Sequence, residues 1–263
     1  MRKYGRKIPS PLPAHRMLER AGATVPMVVD LRQWGGPIKD QGDEGSCTAH
    51  AGTSACELIF RKYFKKSPVF SPQYTYAKEL IMQGDFPRDE GSEGVTLCNV
   101  LIANGCCELS LYPYISEQIL MPTAEQDKNA AQFKMGAYHG LIGSHTAISV
   151  LGDSTPWPVE VGFTVYESFE GEQIAKTGIM PVPTKSESVL GGHEVLAVGY
   201  DIGLAETIRP KGCPPAVLIQ NSWGGGWGVG GYFWMPLEIL DRSDTDLKIV
   251  HSGHPWKRSS LLY

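Results

Sequence analysis

The stretch that decides the reading is Gln41-Gly42-Asp43-Glu44-Gly45-Ser46-Cys47-Thr48-Ala49-His50. Gly42, Asp43, Gly45 and Ser46 are turn and cap residues, and after them Ala51, Ala55, Leu58, Ile59 and Tyr63 recur at helical spacing. The pattern predicts a loop that turns into a helix with a cysteine on its first turn. Ser46 at the N-cap would set the Cys47 thiol at the positive end of the helix dipole. A thiol placed there ionises more easily than a free cysteine, whose pKa is about 8.5. Arg61, Lys62, Lys65 and Lys66 crowd the far end, the sign that a helix C-terminus favours. A buried structural cysteine is the plain alternative, and the glycine-rich approach favours the reactive one.

Bulk properties narrow the field. A chain of 263 residues is long enough for one large domain or two lobes around a cleft. Its net charge of −4 gives no electrostatic case for nucleic acid or an anionic membrane surface. No apolar run approaches the roughly 20 residues of a membrane helix. The start Met1 to Lys7 is basic, but Pro9, Pro11 and Pro13 follow it in place of an apolar run, so no secretory signal is expected. The six cysteines would leave five after one reactive thiol, an odd number for a disulfide framework. Reduced thiols and a cytoplasmic protein are the default, with export lacking an N-terminal signature left open.

Residues 1–26 are basic and proline-rich, and are expected to extend outside the folded body. Ser71 to Gln83 reads as a helix capped by Ser71 with Pro72 in its first turn, and Val95 to Asn104 as another stopped by Gly105. Ala124 to Gln132 and Ser144 to Leu151 read as short helices. Phe133 to Gly140, Val159 to Val165, Glu194 to Tyr200, Ala216 to Gln220 and Tyr232 to Met235 read as strands. A helical lobe, mainly 47–115, followed by a β-rich lobe, mainly 116–235, predicts an α+β protein with a cleft between the two.

A cysteine nucleophile needs a base within hydrogen-bond reach and a third group to orient that base. His193 stands after two glycines and before the apolar run Val195 to Val198. Asn221 follows the apolar run ending at Ile219 and opens Asn221-Ser222-Trp223-Gly224. An asparagine beside an imidazole fixes its tautomer and leaves the other ring nitrogen free to face a thiol.

Gln41 to Ala49, the Gly192 to Tyr200 block, and Asn221 to Gly224 with Gly226-Trp227-Gly228 and Gly231-Tyr232 resemble, in that order, the papain family of cysteine peptidases. The likeness spans residues 28 to about 248. His193 follows Cys47 by 146 residues and Asn221 by 174; the second spacing implies longer loops in the β lobe, Asp201 to Pro215 among them. The resemblance implies a two-lobe fold, a helical lobe and a β-barrel-like lobe, with residues 27–263 as the catalytic domain. It implies a peptidase acting on peptide or protein substrates as a monomer, with no cofactor and no metal. Cys47 matches the nucleophile, His193 its base, Asn221 the orienting residue, Trp223 the indole over the histidine–asparagine bond, and Gln41 the oxyanion donor. Gly91 and Gly94 fall where the family pairs with the substrate backbone. Gly162 and Gly192, with Gly191, fall where it lines the pocket for the second residue before the scissile bond, here expected to be roomy and apolar. Residues 1–26 would form a short propeptide within the same chain.

Two positions depart from the family. Glu44 replaces a cysteine and would place charge near the leaving-group side of the cleft, while Thr48 replaces an aromatic residue. A degenerate binding protein on the same scaffold and a thiol acyltransferase are the alternatives these departures keep open. His50, one turn after Cys47, is expected in the core or at the lobe interface. Cys106-Cys107 cannot both ligate one metal at ordinary spacing, and Gly224 to Gly228 lacks the lysine of a phosphate loop.

Overall fold

The computed structural model describes residues 3–9, 12, 17–18, 24–115 and 118–252. Its elements follow in chain order. Two short strands, β1 (Met17–Leu18) and β2 (Val28–Asp30), precede a central helix α1 (Cys47–Phe64) and the helices α2 (Pro72–Gln83), α3 (Gly94–Ala103) and α4 (Ala124–Ala130). Then come β3 (Ala137–Leu141), α5 (Gly143–Leu151), β4 (Val159–Tyr166), α6 (Glu172–Thr177), β5 (Val189–Asp201), β6 (Ala216–Gln220), β7 (Tyr232–Pro236), α7 (Leu237–Leu240) and β8 (Asp246–His251).

Every residue of α1 from Cys47 to Phe60 is buried, which is how a helix at the centre of a two-layer fold must be. Small residues make this work: a Cβ on Gly52 would meet Leu97 of α3 at 2.5 Å. One side of α1 packs on α2 and α3, the other on β5. Leu58 and Ile59 join one continuous core with Phe163, Val195, Tyr200 and Phe233. Truncating such a residue, Leu58→Ala for instance, costs about 2–5 kcal/mol.

The expected α+β architecture is present. Among the described residues the strands form one eight-stranded sheet, ordered β1-β3-β8-β4-β5-β6-β7 with β2 on β5, and it does not close into a barrel. Boundaries differ from the sequence reading in places. Phe133 lies in a 3-10 turn ahead of β3, so that strand begins at Ala137. His193 stands inside β5, not at its start, because Gly191 and Gly192 continue the ladder with Val165 and Thr164. Strand β8, which the sequence reading passes over, sits between β3 and β4.

Of the N-terminal segment 1–26, residues 1–2, 10–11, 13–16 and 19–23 lie outside the described residues, and residues 4–7 lie against the body where an outward extension is expected. Gly5 and Arg6 are buried, and residues 5–7 form a parallel bridge with Ser92: Ser92 N–H donates to the Gly5 carbonyl at 2.7 Å and Lys7 N–H to the Ser92 carbonyl at 2.8 Å. Arg6 N–H donates to the Gly192 carbonyl at 3.1 Å. The segment therefore crosses from the helical layer to the sheet.

Candidate active site

Cys47 opens α1 as expected, but Ser46 does not cap it with its side chain. The Ser46 hydroxyl instead lies 3.2 Å from His50 Nδ1, whose N–H donates to the Ser46 carbonyl at 2.9 Å. His50 is thereby turned into the interior, where burial pulls its pKa down to about 3 and keeps it neutral.

The backbone amides of Glu194 on β5 and of Gly5 in the N-terminal segment lie beside the Cys47 sulfur. The first brings the thiol beside the strand that carries His193. Burial pushes the thiol up to about 12, against the helix-dipole expectation of easy ionisation. The two amides favour the thiolate, and the carboxylates of Glu194 and Glu79 oppose it. Desolvation wins because the segment covers the sulfur and excludes water.

His193 is fully buried, and its Nε2 lies 2.9 Å from Asn221 Oδ1. Asn221 Oδ1 also accepts from Ser222 N–H at 2.9 Å, which leaves it no freedom to turn away. The Trp223 indole stacks on the imidazole, with centroids 5.0 Å apart and planes 22° apart, and so seals the bond from solvent. Phe169 packs edge-on to Trp223, and Trp227 meets it at 84°. Gln41 is buried at the far side of Cys47. Its amide N–H donates to the Glu44 carbonyl at 2.9 Å and its Oε1 accepts from the Ser222 hydroxyl at 2.5 Å. Ser222, unremarked in the sequence, thus links the Gln41 loop to the Asn221 strand.

This arrangement carries a thiol at a helix start, an imidazole held by an asparagine, and an amide donor across from them. Comparison with known proteins agrees: the family model described as papain family cysteine protease matches residues 25–245. The chain belongs to that family. It is 28% identical over 213 residues to an uncharacterised peptidase C1-like protein of Acanthamoeba polyphaga mimivirus, an alignment covering 76% of this chain and 64% of that one. It is 30% identical over 220 residues to cysteine proteinase 3 of Entamoeba histolytica, covering 82% of this chain and 64% of that one. The chain thus spans about three-fifths of the length of these curated relatives. Among solved structures, xylellain, a cysteine protease from Xylella fastidiosa, superposes with a TM-score of 0.80 at 28% identity, covering 95% of this chain and 96% of that one. Digestive procathepsin L2 of Tenebrio molitor superposes at 0.72 with 20% identity, covering 95% and 78%, a likeness of fold.

The remaining candidate residues fall as follows. Gly91, with φ of 75°, packs against the Gly5 backbone, and Gly5 in turn packs against the Gly45 backbone, so no side chain fits at Gly5 or Gly91. The backbone pairing itself is made by Ser92, one residue along from Gly91, a partner that the glycine pattern hid. Gly94 opens α3 against Lys248 and Glu194. Gly192 lies under the Arg6 backbone, and Gly162 under the Arg6 guanidinium. The pocket over Gly162 is not apolar as expected, since Glu194 and Asp246 stand on either side of it.

Glu44 does not face the cleft. It is buried and accepts from the Gln73 amide at 2.7 Å, and burial raises its pKa. Thr48 takes the space of an aromatic ring by donating to the buried Glu79 carboxylate at 2.6 Å. Burial pushes Glu79 up to about 8, so it carries a proton at neutral pH.

Proposed function

We propose that this protein is a cysteine peptidase whose site is complete but held closed by its own residues 3–7. In the reaction the Cys47 thiolate attacks a peptide carbonyl while Gln41 and the Cys47 N–H stabilise the oxyanion. The C–N bond breaks as His193 gives its proton to the leaving amine, and a thioester remains on Cys47. Water then adds with His193 as base, releasing the acid and restoring the thiol. Asn221 holds the imidazole through Nε2, and Trp223 keeps water from that bond.

One observation carries the reading. The Glu194 amide lies beside the Cys47 sulfur, and the neighbouring His193 is bonded to Asn221, so nucleophile and base meet at one short piece of β5. The closed state rests on three consecutive residues. Tyr4 packs edge-on to His193 with centroids 6.1 Å apart, the Gly5 amide lies beside the Cys47 sulfur, and Arg6 N–H donates to the Gly192 carbonyl. Lys3 with Asp89 and Lys7 with Asp85, both at 2.7 Å, pin the ends. The Gly5 carbonyl is taken by Ser92 N–H and the Gln41 amide by Glu44. The segment therefore covers the thiol without offering its carbonyl to the oxyanion donor, which explains why a complete site would not cut it.

A mixture of peptides and an added amine, incubated with the native chain and with Gly5→Ala, tests the reaction by mass spectrometry. New free C-terminal carboxylates are expected, and none with Cys47→Ala. Amine-capped products alone, or cleavage that survives Cys47→Ala, would contradict hydrolysis.

A further inference from the structure

We infer that the pocket beneath Arg6 is a specificity subsite for a basic side chain, built by Glu194 and Asp246 across Gly162. The inference rests on the proposed peptidase reading and names the substrate class that this reading leaves open.

The pocket is written across three strands. In the β4–β5 ladder Gly162 stands opposite Glu194, and in the β4–β8 ladder it stands opposite Asp246. Directly opposed residues share one face of a sheet, so the row reads acid, glycine, acid. A Cβ at Gly162 would meet Glu194 Oε2 at 2.6 Å and Asp246 Oδ1 at 2.5 Å, and it would also strike the Arg6 guanidinium. Glycine at this position opens the space that the cation fills. Arg6 Nε lies 3.2 Å from Glu194 Oε2, and its terminal nitrogen pairs with Asp246 Oδ1. The Arg6 side chain keeps only 4% of its surface in contact with water.

Charge counting shows what remains when the segment leaves. Lys248 pairs with Glu194 at 3.2 Å and with Asp246, so it offsets one of the two carboxylates. Glu160 lies close behind, and burial pushes it up to about 8, so it is neutral at pH 7. One negative charge is then left without a side-chain partner on the pocket wall, where a positive side chain would pair with it. An apolar side chain would leave that charge unpaired, and an acidic one would add to it. Arg6 thus shows in place the kind of side chain the pocket takes.

The test uses the full chain. In Arg6→Ala the segment loses its side-chain anchor, and peptides with arginine or lysine at the second position before the scissile bond are expected to show kcat/KM at least tenfold above those with leucine or phenylalanine. Asp246, a quarter exposed, can be changed without burying an orphan. Asp246→Asn in that background should remove most of the preference. Equal or greater turnover of the apolar peptides would overturn the inference while leaving the peptidase intact. Binding gives a second readout that needs no turnover. A Cys47→Ala, Arg6→Ala chain titrated by fluorescence anisotropy should bind an arginine peptide at least tenfold more tightly than its norleucine counterpart, and equal affinities would overturn the subsite. Arginine-dependent binding with no hydrolysis of any peptide would uphold the subsite and sink the peptidase reading.

Discussion

The two walls of the cleft hold their atoms by different physics. On the sheet side His193, Asn221 and Trp223 sit on or just after β5 and β6, fixed by a ladder and by packed rings: Phe163 stands edge-on, Phe169 tilted and Trp223 stacked against the imidazole, and Trp227 stands edge-on to Trp223. On the helical side the Gln41–His50 stretch is held by buried polar pairs, Thr48 with Glu79, Glu44 with Gln73, and Gly45 N–H with Asp89. Packed rings carry no proton and respond little to pH. Buried carboxylates do titrate, so the polar pairs that hold the helical wall carry a dependence on pH that the packed rings lack.

The largest expected effect ignores this difference, because the reaction needs one residue from each wall. Cys47→Ala and His193→Ala should each lower kcat by roughly 10⁴-fold or more. The double variant should be scarcely worse than either alone, as for groups that act as a unit. Fully additive losses in single-turnover kinetics would show that the two do not cooperate. Gln41→Ala, on the polar wall, should lower kcat by about 10²–10³-fold with KM little changed, the cost of one oxyanion donor. A change in KM alone would assign Gln41 to ground-state binding.

The smallest effect comes from the buried carboxylates. Burial raises Glu79 to about 8 in the folded chain against 4.5 for an ordinary glutamate. Below pH 4.5 both states hold the proton and its contribution to stability is complete. As pH rises the unfolded chain releases the proton first, so stability falls until about pH 8, by at most about 1.4 kcal/mol per pH unit for this one group. Glu160, also raised to about 8, adds a slope of the same sign. Denaturant melts from pH 5 to 8 should therefore show a shallower fall in Glu79→Gln than in the native chain. Identical slopes would mean that Glu79 is ionised throughout.

Legibility in the sequence follows the same division. The sheet wall lies in two contiguous blocks, around His193 and Asn221, where glycines and apolar runs announce strands ending at a polar residue. The helical wall depends on pairs far apart in the chain: Thr48 reaches Glu79 and Glu44 reaches Gln73, about thirty positions away, with no periodicity joining them. Glu44 was therefore expected at the cleft and is found turned inward. Strand β8 escaped for a related reason. Lys248 sits in the middle of it, fully buried against Glu194 and Asp246, so the polar positions of Asp246-Leu247-Lys248-Ile249 do not mark a solvent face. The same ion pairs turn the pocket over Gly162 from apolar to acidic. The cysteine's helix position was legible too, but not its protonation: the dipole argument considers α1 alone, whereas the segment laid over the sulfur decides its solvation.

That segment offers the most direct test of the central claim, that a complete site is held closed from within. A Cβ on Gly5 would collide with the Gly45 carbonyl, so Gly5→Ala should expel the segment while every residue of both walls keeps its identity. The measurement is the rate of iodoacetamide alkylation at Cys47, mapped by mass spectrometry alongside peptide hydrolysis, in the native chain and in Gly5→Ala. With the thiol held near 12, native Cys47 should alkylate slowly at pH 7. In Gly5→Ala, alkylation and hydrolysis should both rise at least tenfold, and modification of Cys47 should abolish the activity. Equal alkylation rates in the two chains, or preferential labelling of Cys56 or Cys107 with activity intact, would contradict the account.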